Sequence, residues 1–548
     1  MSDDGFIYLR VVDQLLAGNG PVFNAGERVE VATSPLWVAV LTLAGALLRP
    51  VPLEWLAVAI GLLLSLTGLA LAAWGALRLT ERDRGLPLPL GAAVVATLPP
   101  FWDFATSGLE TGLGFAWLGG CFLVLAREYQ LQLSPDGPTA GNAQAQPRSP
   151  ERLAVLIGLG PLIRPDFAIF TVAFLAGLLI LSPRRSWGQS LRIAAAALAL
   201  PIAYQIFRMG YYAALVPNSA FAKEASGSYW SQGWRYLLDF LQPYWLLVPL
   251  LGLAFLSWVP SQYQRWKRRD AAGVLLATLP VAAALLYALF ITRIGGDFMH
   301  GRLLLPALFA VLLPVAVVRL SSPFQLVATL VILPWVIVCS AVLRVPYDLI
   351  GPQGIANERG YFAAEARHPH PVTLEDYRLF RWVEEGVAAR ELAAEGSRLL
   401  ILPDGSGIGL ASEVKANVVI MRRAIGVSGY AAGTEVFVAD FLGLSDPIGG
   451  RLRLEDRFGR PGHEKEIDPA WVLARFAEPS FFDLLQPEHA EAVAAAGEAL
   501  DCNGPRHLME AVSQPLTANR FLRNLLESFR LHTLRIPAGP IQAEKEFC

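Results

Sequence analysis

The pattern of apolar and polar positions changes character at residue 343 of this 548-residue chain. Before it, apolar runs at 55–77 and 271–291 approach the roughly 20 residues that a helix needs to cross a bilayer. Further runs at 86–103, 110–126, 153–164, 166–182, 193–209, 243–259, 303–319 and 324–343 bring the predicted crossings to ten, of which 86–103 and 153–164 are the weak ones. Pro99-Pro100 and Gly158-Leu159-Gly160-Pro161 interrupt two of them, and broken helices of this kind line cavities. The run 36–48 is too short to cross and is predicted to be re-entrant or juxtamembrane, walling a site. After 343 no comparable run occurs. There 398–402 and 417–422 have strand character while 375–395 and 487–500 have helical spacing, which predicts a soluble mixed α/β domain over 344–548.

Composition agrees: 54% of residues are hydrophobic and 17% charged, as in a polytopic α-helical membrane protein. A net charge of −2, without a basic tail or phosphate-binding glycine loop, excludes nucleic acid as a partner. The basic clusters 78–84, 127–152, 184–192, 265–269 and Arg319 all fall on the cytoplasmic side if both chain ends are outside. That orientation makes 344–548 extracytoplasmic. It also requires a transmembrane helix ahead of Met1 to carry Asp3 and Asp4 across. Of the four cysteines, Cys121 and Cys339 sit in spans, and Cys502 and Cys548 face an oxidising compartment that permits a disulfide. Their spacing matches no zinc site.

Candidate chemistry collects on the outer side. Asp3 and Asp4, Glu27 to Glu30, Thr33 to Trp37, Thr106 to Glu110, Arg164-Pro165-Asp166, Asn218 to Lys223, and Arg293 to Arg302 all lie there. Against lipid such ionisable groups would cost several kcal/mol each, so they point to a shared wet cavity.

The strings Asp3-Asp4-Gly5-Phe6-Ile7-Tyr8-Leu9-Arg10, Asn24-Ala25-Gly26-Glu27-Arg28-Val29-Glu30, Thr33-Ser34-Pro35-Leu36-Trp37, Ser107-Gly108-Leu109-Glu110-Thr111, Arg164-Pro165-Asp166 and Gly295-Gly296-Asp297-Phe298-Met299 resemble polyprenyl-phosphate-sugar glycosyltransferases of the GT-C superfamily. Among these they are most similar to the arabinofuranosyltransferases of mycobacteria and corynebacteria. Val438 to Pro447, with Asp440 and Asp446, is similar to a string in that family's C-terminal region, and the likeness runs from residue 3 to residue 450.

The resemblance implies an inverting transferase of the plasma membrane. It would move arabinofuranose from decaprenyl-phosphoryl-arabinofuranose to arabinan termini of arabinogalactan and lipoarabinomannan, on the periplasmic face. Membrane lipid, the lipid-linked donor and the arabinan acceptor are then its partners. Such transfer needs a carboxylate to take the acceptor proton, and Asp4, with Asp3 beside it, is the choice. The leaving phosphate needs only cations, for which Arg164, Lys223, Arg293, His300 and Arg302 are the candidates. Glu30, Glu110, Asp166, Asn218 and Asp297 are candidates for substrate contact. Asp3, Asp4 and Glu110 offer hard oxygen ligands to a divalent cation, although no spacing demands one.

Each choice has a plainer counterpart. Asp3 and Asp4 suit a helix cap, and Glu110 a first-turn charge. Arg164-Pro165-Asp166 and Gly295-Gly296-Asp297 suit turns. Arg302 suits a snorkelling cation, while Trp37, Trp102 and Trp230 suit interfacial anchors. The competing functions are a GT-C transferase of another polyprenyl-phosphate sugar such as mannose, a secondary transporter, and a non-catalytic scaffold. A transporter would show two related halves, and no internal repeat is found.

Overall fold

The computed structural model describes residues 1–81, 83–133, 150–181, 186–454, 457 and 460–548. Arg82, Arg148, Arg184 and Arg185, members of three of the basic clusters, lie outside the described residues. By packing the chain forms two compact units. The first is Met1–Ala57, Tyr204–Ser228 and Glu358–Cys548; the second is Val58–Ala203 and Tyr229–Asn357.

Among the described residues, four helices are long and apolar enough to cross a membrane: Leu53–Leu79, Trp187–Tyr212, Ala271–Ile294 and Pro323–Ala341. They coincide with the expected spans 55–77, 193–209, 271–291 and 324–343. The other expected spans fall on shorter, interrupted or less apolar helices. Pro99 starts a new helix, Pro99–Ala105, so 86–103 is divided between the strand β1 (Leu86–Leu88), the helix Leu90–Ala96 and that second helix. Likewise Gly160 and Pro161 start the four-residue helix Gly160–Ile163 after Pro150–Gly158. The run 303–319 gives the helix Leu305–Leu312 and ends in β2 (Val318–Leu320), which pairs antiparallel with β1.

Within the second unit, helices pack through glycine. A Cβ on Gly112 of the helix Thr111–Leu133 would meet the Gly61 carbonyl oxygen at 2.2 Å, and one on Gly119 would meet that of Gly68 at 2.6 Å. Seven residues separate each pair, so one glycine face on each helix lets the two backbones touch, as lipid-exposed bundles require.

The first unit carries a four-stranded sheet of β3 (Leu399–Ile401), β4 (Gly407–Gly409), β5 (Val418–Arg422) and β6 (Val436–Asp440) in the order β4-β3-β5-β6. The strands β3, β5 and β6 are parallel, with β4 as an antiparallel edge. Leu400, Val419, Met421 and Ala439 join Trp471, Phe476, Val493 and Leu508 in one core. Val418, Ile420 and Val438 alternate with them and are also buried, as the two faces of a parallel sheet require.

A disulfide joins Cys502 to Cys548, 46 residues apart. It ties the last helix, Pro540–Phe547, to the start of Asn503–Ser513. Replacing both cysteines by serine is expected to cost about 2–4 kcal/mol by freeing a loop of this length in the unfolded chain. Thermal melting of the purified variant measures it, and an unchanged midpoint would count against the account.

Candidate active site

In the first unit the helix Asp3–Leu16 is capped by Ser2, whose Oγ accepts the Gly5 N–H at 3.2 Å. Asp3 reaches instead to a second helix, Gly426–Ala432. Its Oδ2 accepts the Gly426 N–H at 3.1 Å and its Oδ1 the Val427 N–H at 2.8 Å. A Cβ on Gly426 would stand 1.9 Å from the Asp3 carbonyl oxygen, so only glycine fits there. Burial raises the Asp3 pKa and Asp4 adds to it, while the two N–H bonds pull it down, leaving it at about 6. Asp3 therefore has a structural task across the unit. Asp4 is half-buried at the same helix end.

Arg10, two turns on, is fully buried. Its guanidinium donates to the carbonyls of Phe23 at 2.9 Å, Gly433 at 2.6 Å and Val436 at 2.7 Å, and to Asn24 Oδ1 at 3.3 Å. The acidic pair is thus mounted on a helix whose position relative to β6 is fixed by hydrogen bonds.

The short apolar run forms the helix Pro35–Leu47 and walls a cavity of about 500 Å³. Val38, Thr42 and Ala46 line one side, with Tyr204, Phe207 and Tyr212 from the end of Trp187–Tyr212 also lining it. Glu30 is its charged group. Its Oε1 accepts the Tyr204 hydroxyl at 2.7 Å and Arg208 Nη2 at 3.1 Å, and its Oε2 accepts Arg208 Nε at 2.6 Å. Asn218 is spent on a loop, its Nδ2 donating to the carbonyls of Gly443, Leu444 and Asp446 at 2.8–3.1 Å. Lys223 caps the helix Asn218–Ala222, and its carbonyl accepts Arg457 Nη2 at 2.9 Å.

The second unit brings five of the sequence candidates into one buried network. Arg164 grips Asp166 with two bonds of 3.0 and 2.9 Å and Glu110 with one of 2.8 Å. Tyr287 donates to Asp166 at 3.2 Å. Arg302 lies 3.9 Å from Glu110 and 3.5 Å from Asp297. His300 belongs to a separate chain: its Nδ1 is 2.6 Å from Asp239 and its Nε2 is 3.0 Å from the Tyr244 hydroxyl, while Tyr347 donates to Asp239 at 3.0 Å. Arg293 is half-buried, and its carbonyl accepts the Tyr229 N–H at 2.7 Å. Among the described residues no group of three or more His, Cys, Asp or Glu side chains is placed to hold a metal ion.

Residues 410–543 match the AftB family C-terminal domain. Over 98% of its length the chain is 35% identical to a terminal β-(1→2)-arabinofuranosyltransferase of Mycobacterium tuberculosis, covering 92% of that protein. The chain belongs to this arabinofuranosyltransferase family. The enzyme of the same name from Corynebacterium glutamicum is 33% identical over 100% of the chain and 84% of its own length. No solved structure matches the chain.

The family's C-terminal domain supplies partners that the sequence candidates lacked. Arg475 holds Glu27 at 2.7 Å and Asp446 at 2.6 Å, and Asp446 also caps the helix Pro447–Gly450. Asp440 accepts the N–H groups of Leu442 and Ser445 at 2.9 and 2.7 Å, and burial pushes its pKa up to about 7. Burial also raises Glu27 from 4.5 to about 7, with Arg475 opposing and Asp446 reinforcing, and Glu27 Oε2 has no hydrogen-bond partner among the described residues. The folded protein therefore holds the Glu27 proton more tightly than the unfolded chain. That contribution is full below the unfolded pKa of 4.5 and is lost as pH rises through 7. Glu27→Gln keeps the acceptor for Arg475 and cannot ionise. It is expected to melt with wild type at low pH and above wild type at alkaline pH; melting curves at both ends of the window check this, and parallel profiles would refute it.

Proposed function

We infer that this chain is a GT-C-type arabinofuranosyltransferase of the plasma membrane. It takes its sugar from decaprenyl-phosphoryl-arabinofuranose on the periplasmic face and extends the arabinan termini of arabinogalactan and lipoarabinomannan. The observation that carries the reading is 35% identity over 98% of the chain to an enzyme named for forming a β-(1→2) arabinofuranosyl bond. The acceptor group is accordingly the 2-hydroxyl of a terminal residue.

Asp4 is the general base. As the acceptor oxygen bonds to the anomeric carbon, its proton passes to the Asp4 carboxylate. The bond from that carbon to the phosphate oxygen breaks, and its electron pair leaves with the polyprenyl phosphate. Arg164, Lys223, Arg293, His300 and Arg302 are the cations assigned to the phosphate. Glu110, Asp166 and Asp297 act on substrate through the arginines they hold, and Asn218 through the loop it clamps. The apolar cavity beside Glu30 suits an isoprenoid chain, because its lining is mostly hydrocarbon with one paired carboxylate.

The deciding assay incubates purified protein and a synthetic arabinan with radiolabelled decaprenyl-phosphoryl-arabinose or decaprenyl-phosphoryl-mannose. Label from the arabinosyl donor alone is expected. Label from the mannosyl donor would overturn the sugar assignment, and label from neither would overturn the activity. Direct displacement inverts the anomeric carbon, so an α-linked donor giving a β product belongs to Asp4 as base. A β-linked donor giving a β product would replace that role with a carboxylate nucleophile.

A further inference from the structure

The helix Ala518–Thr533 has its amphipathicity reversed for a soluble domain. Its inward face is Arg520, Asn524, Ser528 and Leu531. Its outward face carries Leu522, Leu526 and Phe529, which are 61%, 77% and 60% exposed. Spaced by four and three residues, these three form one continuous apolar stripe. A helix that turns polar groups inward and leucines outward has an apolar medium on its outer side.

The identity of that medium follows from where the helix is anchored. Leu198, Ile202 and Ile206 recur every fourth residue on the membrane-capable helix Trp187–Tyr212 and are all exposed, as a lipid-facing stripe is. The next position in that stripe is Gly210. A Cβ there would meet the Phe521 ring at 2.2 Å, and Asn524 Nδ2 donates to the Gly210 carbonyl at 3.0 Å. The helix Ala518–Thr533 is thus fastened where the lipid-facing stripe of a span comes to its end, which is headgroup level. Arg523 and Arg530 are exposed beside the stripe, with the sign that anionic headgroups attract.

We propose that Ala518–Thr533 is a membrane-interfacial helix. Leu522, Leu526 and Phe529 enter the boundary between headgroups and acyl chains to a depth of roughly 5–10 Å, and Arg523 and Arg530 rest among anionic headgroups. This holds the C-terminal module down on the bilayer surface. The proposal rests on Trp187–Tyr212 spanning the membrane and not on the transferase reading.

The test uses the full chain in nanodiscs containing phosphatidylglycerol. Single cysteines replace Leu526, Phe529 or, as a control, the exposed Glu413, and each is labelled with an environment-sensitive fluorophore. The native free cysteines, Cys121 and Cys339, are buried and Cys502 is joined to Cys548, so the labels are selective. Labels at 526 and 529 are expected to shift to the blue and to lose most of their emission to spin-labelled lipid, while the label at 413 does neither. Charge reversal at Arg523 and Arg530 is expected to weaken that quenching. Labels at 526 and 529 as wet as the one at 413 would overturn the proposal. So would protection that depends on protein concentration and ignores the lipid quencher, which would assign the face to a second copy. Loss of sugar transfer with the quenching intact would count against the enzymatic reading alone.

Discussion

Asp4→Asn is expected to lower arabinofuranosyl transfer by roughly 10²–10⁴-fold, the contribution of a positioned general base, while fold and donor binding survive. The substitution is nearly isosteric and falls on a helix held by other groups. Ser2 caps it and Arg10 anchors it through the carbonyls of Phe23, Gly433 and Val436. Asp3→Asn should behave differently. An amide can accept only one of the two N–H bonds from Gly426 and Val427, so this variant loses about 1 kcal/mol of capping energy and melts earlier, with turnover per folded molecule near normal. Lys223→Ala should raise the donor KM before it touches kcat, because a phosphate cation acts on the bound donor. Transfer rates, donor binding and melting curves on the three variants separate base, cap and cation. Near-normal transfer by folded Asp4→Asn would leave the acidic pair as helix-end residues and remove the proposed base.

The parts of this architecture with local causes were legible in the chain. Four membrane-capable helices declare themselves by length and hydropathy, and Pro99-Pro100 and Gly160-Pro161 fall at helix starts, where the missing proline N–H costs nothing. Proline alone is not a break, since Pro201, Pro280 and Pro334 lie inside three of the four long helices. The buried strand β5 is apolar from Val418 to Met421, and Pro487–Asp501 shows helical spacing. By contrast, Gly407–Gly409 forms an edge strand out of two glycines and an isoleucine, with no pattern to reveal it. The site divides along the same line. Arg164-Pro165-Asp166 is a local string and does form a local ion pair. Glu30 and Arg208 are 178 residues apart, Asp3 and Gly426 are 423, and His300 and Asp239 are 61, so no spacing rule connects them. The usable signal for Arg208 was its position near the end of a largely apolar helix, where a buried arginine needs a carboxylate or water.

Arg208→Met is expected to cost about 3–5 kcal/mol, because it strands the charge of Glu30 among apolar side chains without its partner. Glu30 is 3% exposed and Arg208 6%, and the carboxylate has Arg208 on both oxygens and the Tyr204 hydroxyl on one. Methionine replaces the length of the arginine stem, so the loss is mainly electrostatic and not a cavity. Glu30→Gln alone leaves the buried guanidinium with neutral acceptors, the new amide and Gln205 Oε1, which accepts Arg208 Nη1 at 2.8 Å, and should be the milder change. The double variant Arg208→Met/Glu30→Gln removes both charges, keeps an acceptor for Tyr204, and should recover most of the stability lost in Arg208→Met. Thermal unfolding of the four proteins in one detergent yields the coupling between the two sites. Additive losses would mean that the pair is not a unit. Because Glu30 lines the apolar cavity, the double variant also tests that cavity: a folded, charge-free wall that still transfers sugar would show that the Glu30 charge is not needed for transfer.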